Sequence, residues 1–242
     1  MADITSGRII ATTSITTITV AINCLVFCFI ITPLYFTKGN TMPKLILPYF
    51  LIICGILGIL RARSTKRDKR AREEYLNRES LANETRKADI STLPYIKISD
   101  NILNYTSADE EVNRLLSEVK ALGTKKILNL TGISNTDLKL KYGAANLPEL
   151  TECDENFTSL CKTIFSIGKL LYEKEDIDNA RLFLEYGVSI KSDITDNYVL
   201  LATIYESLGL SDRIEDLKQI ASTLNSLSKE TIIHKLDALV HN

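Results

Sequence analysis

Two uncharged apolar runs lying close together, followed at once by a basic stretch, constrain this chain more than anything else in it. Ile9 to Phe36 holds 28 residues without a formal charge, and Leu45 to Leu60 holds 16, or 19 counted from Met42. Arg61, Arg63, Lys66, Arg67, Lys69, Arg70 and Arg72 follow, against the single acid Asp68. Roughly 20 apolar residues suffice for a helix to cross a bilayer, and 19 residues rise about 28 Å. The pattern predicts a transmembrane hairpin over residues 1–60, with spans at 9–36 and 43–60. A cleaved signal peptide fits poorly, because the first run is too long and only Arg8 precedes it.

Orientation is read from the flanks. Seven cations beside the end of the second run mark a cytoplasmic side. The expectation is a multi-pass protein of the cell membrane, with both termini inside and the loop Thr37 to Lys44 outside. The seven cations would also meet anionic headgroups of the bilayer. Hydroxyls at Thr12, Thr13, Ser14, Thr16, Thr17 and Thr19 can bond back to the preceding turn of a helix. Asn23 cannot do so as well; it is expected to bond within the hairpin or to a second copy, giving a homo-oligomer through these helices.

The total charge of −1 hides an asymmetry. Residues 1–60 carry +2 and residues 61–72 carry +6, which leaves −9 on the remainder. An acidic remainder is a poor match for phosphate backbones, so no nucleic-acid partner is expected. Cys153 and Cys161 belong to no CxxC pair, and the histidines, His234 and His241, stand far from them. No metal, no cofactor and no catalytic constellation is predicted.

Beyond the basic stretch the chain reads as all-α. Residues 61–92 are a charged helix or linker. Residues 93–150 form a helical and irregular cap, in which Leu93 to Ile98 is extended and Ser107 with Glu110 opens a helix by capping-box spacing. Val112, Leu115, Leu116, Val119 and Leu122 make its apolar face, and Gly123 stops it. Ser134 to Asp137 caps a short helix that ends near Gly143. The Asn, Gly and Thr content of 127–147 admits two readings: a ligand site, or a connector whose amides bond the backbone.

From residue 151 the apolar stripe becomes regular. In a 34-residue frame starting at Cys161, Ile164, Ile167, Gly168 and Leu171 line a first helix, and Ala180, Leu184 and Gly187 a second. Shifting by one frame gives Tyr198, Leu201, Ala202 and Tyr205, then Ile214 and Ala221. Residues 154–227 resemble the tetratricopeptide repeat, a helix-turn-helix unit of this length. Departures are Leu171 at an aromatic position, Ser192 at a proline position and Lys218 at an apolar one. Two repeats are expected over 151–227, capped by a C-terminal helix over 228–242 that carries Ile232, Ile233, Leu236 and Leu239. The layout is also similar to that of membrane-anchored repeat proteins of Gram-positive bacteria.

The resemblance implies use as well as fold. Such domains hold peptides or helices in the groove lined by the first helix of each unit. Position by position, that groove maps to Lys162, Phe165, Lys169 and Tyr172, then to Asp196, Val199, Thr203 and Glu206. The implied function is a membrane-anchored cytoplasmic scaffold that recruits a protein or peptide partner rather than an enzyme. The alternative is a structural subunit of a membrane complex, assembled through its transmembrane helices.

Overall fold

The computed structural model describes residues 43–240; the first apolar run, Asn23 and the start of the connecting loop lie outside the described residues. Every regular element among the described residues is helical. The chain divides into two units, Met1–Glu73 and Glu74–Asn242, each described by itself.

The first unit contains most of α1, which runs Pro43–Glu84. Proline suits a first helical position, where its missing N–H is not needed. Ile52, Ile53, Ile56, Leu57, Ile59 and Leu60 are all between 51 and 59% exposed. Among the described residues no helix is long and apolar enough to cross a membrane. This overturns the transmembrane hairpin and the multi-pass placement built on it. The physical reason lies at the two ends of the second run. Counting from Met42 included Pro43, Lys44 and Pro48 at its head, and α1 continues past Leu60 straight into the basic stretch. The uncharged run Leu45 to Leu60 rises about 24 Å, short of the ~30 Å core.

The second unit holds the remaining elements. They are α2 (Asp100–Leu103), α3 (Glu110–Leu122), α4 (Asn135–Tyr142), a 3₁₀ turn (Ala144–Asn146), α5 (Leu147–Glu173), α6 (Ile177–Ser189), α7 (Thr195–Ser207), α8 (Asp212–Ser222) and α9 (Lys229–Val240). Consecutive helices α5 to α9 pack against one another, α3 lies on α5, and α9 touches both α7 and α8. One core runs through this stack, from Val112, Leu116 and Val119 on α3 to Ile232 and Leu236 on α9. A smaller core of Ile90, Leu128, Leu130, Leu138, Leu150 and Cys153 seals the irregular segments.

Local chemistry sets the element ends. α3 begins at Glu110 rather than at Ser107, because Asp109 is the residue whose carboxylate accepts from the amides of Glu111 and Val112. Ser107 sits two residues outside and accepts from the Asp109 amide. Ser134 caps α4 by accepting from the Asp137 amide, and Gly143, at φ 89°, ends it. No side chain fits there: a Cβ on Gly143 would lie 2.4 Å from the Arg86 carbonyl oxygen. The segment 93–98 forms no regular element: the Tyr95 amide turns back to the Leu93 carbonyl at 2.7 Å, and the Ile96 amide donates to the Ile127 carbonyl at 2.8 Å.

The helix ends also recur. After α5, Asp176 N–H donates to Leu171 O and Glu175 N–H to Tyr172 O, with Glu175 at φ 64°. After α6, Ser192 N–H donates to Gly187 O and Lys191 N–H to Val188 O, with Lys191 at φ 60°. After α7, Leu210 N–H donates to Tyr205 O and Gly209 N–H to Glu206 O, with Gly209 at φ 70°. All three are Schellman caps. Glu175 and Gly209 are 34 residues apart. Small residues let the helices close: a Cβ on Gly168 of α5 would lie 2.8 Å from the Leu184 side chain of α6. Lys218, an oddity on an apolar stripe, is explained by its partners: its ammonium reaches Asp237 at 2.7 Å and Glu215 at 3.6 Å.

Candidate functional site

The longest helix of the second unit presents one open face. Along α5, Leu160, Ile164, Ile167 and Leu171 are buried, while Glu152, Glu155, Ser159, Lys162, Ser166, Lys169 and Glu173 are exposed. These exposed positions step by three and four, so they form one stripe. Phe165 and Tyr172 lie at its edge, half-buried and packed against the core. Lys162 has no ion pair among the described residues, whereas Lys169 reaches Glu173 at 3.7 Å.

Lys169 also opens onto a cleft between α3 and α5, of about 260 Å³. Glu111, Arg114 and Leu115 line it from α3, and Ser166, Lys169, Leu170 and Glu173 from α5. Arg114 is held by Glu118 at 2.9 Å, one turn along its own helix. At the end of the α3–α5 pair, the Lys174 ammonium meets the Asp109 carboxylate. Lys174 first, and then the amides of the α3 N-terminus, hold the Asp109 carboxyl below the usual carboxylate range.

The α7 set is placed differently. Val199 and Thr203 are half-buried, and the Thr203 hydroxyl donates to the Val199 carbonyl at 3.0 Å. Glu206 is exposed. Asp196 is engaged by Lys235 of α9 at 3.5 Å. None of these lines the α3–α5 cleft, so Lys169 shares a cavity with Arg114 and not with the α7 residues. Arg114 and Ser166 were not singled out from the sequence. Their proximity depends on α3 and α5 pairing across an excursion of some two dozen residues, and no periodicity reports that.

The segment 127–147 is occupied by its own bonds. The Asn129 carboxamide donates to Lys191 O at 3.3 Å and accepts from Thr131 N–H at 3.0 Å. Asn146, 1% exposed, donates to Ala88 O and Tyr142 O. Asp137 takes the Ser134 hydroxyl and pairs with Arg78. These groups fasten the connector to its surroundings and leave little to present to a ligand.

The thiols are sealed in. Burial pushes Cys161 up to about 12, against a hydrogen bond with Ser192 that pulls the other way. Burial also raises Cys153. Neither is a nucleophile at neutral pH. Among the described residues no group of His, Cys, Asp or Glu side chains is arranged to hold a metal ion. No protein-family model, no curated protein and no solved structure matches the chain.

Proposed function

We propose that the second unit is a binding module for a protein partner, built on helical repeats of the tetratricopeptide kind. The open face of α5 is its working surface. One observation carries the reading: Phe165 and Tyr172 keep part of their rings uncovered beside Lys162 and Lys169, on a helix whose other face is sealed. An aromatic anchor between two cations, with a second one turn beyond them, suits a partner segment that bears carboxylates and an apolar side chain.

A photo-crosslinking residue at Ser166 tests this. The expected result is capture of one discrete protein by the full chain, lost when Lys162→Glu and Lys169→Glu are introduced together. Capture of the same protein by the charge-reversed variant would show that this face is not the working surface.

A further inference from the structure

The first unit joins two features that water alone does not satisfy. Ile52 to Leu60 is apolar on every side of α1 and exposed apart from the half-buried Cys54, and a Cβ on Gly55 or Gly58 would meet nothing within 4 Å. A helix that is apolar all round is normally covered by something. The next turns carry Arg63, Lys66, Arg67, Lys69, Arg70 and Arg72, all exposed and none paired with an acid among the described residues. Arg63, Lys66, Arg67 and Arg70 stand at i, i+3, i+4 and i+7, one face of two turns, where like charges repel.

We infer that this part of α1 docks on an anionic lipid surface, with its apolar turns against hydrocarbon and its cations among the headgroups. The six cations then fall at headgroup level, where each adds to the attraction for anionic lipid. Charge and apolarity are separated along the helix axis, in the order that an anionic headgroup layer over hydrocarbon presents them. A nucleic-acid backbone would satisfy the cations and leave the isoleucines in water. A parallel pairing with a second copy would cover the isoleucines and set the two basic faces side by side.

The test uses the full chain with vesicles of phosphatidylcholine alone and of phosphatidylcholine with phosphatidylserine. Cys54 is left as the sole thiol and carries an environment-sensitive fluorophore. Binding is expected only where phosphatidylserine is present, weakening as salt rises, with the label shifting to the blue. Lys66→Glu, Arg67→Glu and Arg70→Glu together are expected to weaken it roughly a hundredfold or more. These side chains are exposed, so helix content by circular dichroism stays unchanged. The inference is overturned if the label stays in water on bound vesicles, or if the triple variant binds equally. It is also overturned if a DNA duplex competes the chain off the vesicles.

Discussion

The apolar residues of α1 and those of α5 belong to the same types and meet opposite fates. Ile56 and Leu57 are 51 and 59% exposed, whereas Ile164 and Ile167 are fully buried. The difference is in arrangement. In α5 the apolar positions recur every three or four residues, leaving a polar face for water and giving the neighbours one stripe to cover. In the apolar stretch of α1 they follow one another around the helix, and no single neighbour within the unit can cover every side. Ten cations of the second unit are tied to carboxylates, while Arg63, Lys66, Arg67, Lys69, Arg70 and Arg72 have no ion pair among the described residues. The second unit covers its apolar stripe internally; the described apolar stretch of α1 presents its side chains outward.

The strongest way to break that comparison is to truncate matched residues. Phe183→Ala, in the middle of the stack, is expected to cost about 3–5 kcal/mol, while Leu57→Ala changes stability by less than about 0.5 kcal/mol. Denaturant unfolding of the full chain measures both. Overpacking probes the same contrast. Gly168→Ala, pressed against Leu184, is expected to cost about 1–3 kcal/mol, and Gly58→Ala, in open space, to be neutral or slightly stabilising through helix propensity.

Acid gives an intermediate effect. Asp109, Glu149 and Glu79 all have carboxyls held low, each first by its lysine partner: Lys174, Lys126 and Lys139. A depressed folded-state value means stability present at neutral pH and lost as pH falls through and below the usual carboxylate range of about 4. Thermal unfolding from neutral pH downward is expected to show that loss, and Asp109→Asn to flatten its own share. The smallest effect is a gain. Glu175 and Lys191 hold left-handed backbone that glycine adopts freely, as Gly209 does at the corresponding position. Glu175→Gly is expected to raise stability by about 0.5–1 kcal/mol, read by the same unfolding curves.

Much of the second unit was legible because periodic stripes report which face of a helix is buried. Leu184, Ala202, Leu236 and the Ser134 cap stand where their spacing placed them. The start of α3 was read two to three residues early, since Ser107 and Asp109 are both good caps and only backbone geometry chooses between them. The second apolar run was misread as a span because residue counting gave prolines and a lysine at its head the weight of hydrocarbon. On the site, Lys162 and Lys169 were legible as one face by their spacing of seven. The cleft with Arg114 was not, because it arises from a tertiary pairing. The left-handed turns at Glu175 and Lys191 were hidden for another reason: only the third of the three caps carries the glycine that would announce it.

The most direct test of the central claim sets two charge reversals side by side in one crosslinking pull-down. One variant carries Lys162→Glu and Lys169→Glu on α5; the other carries Lys66→Glu, Arg67→Glu and Arg70→Glu on α1. The account predicts that the protein captured by the intact chain is lost with the α5 variant and kept with the α1 variant. Retention of that protein by the α5 variant would contradict it.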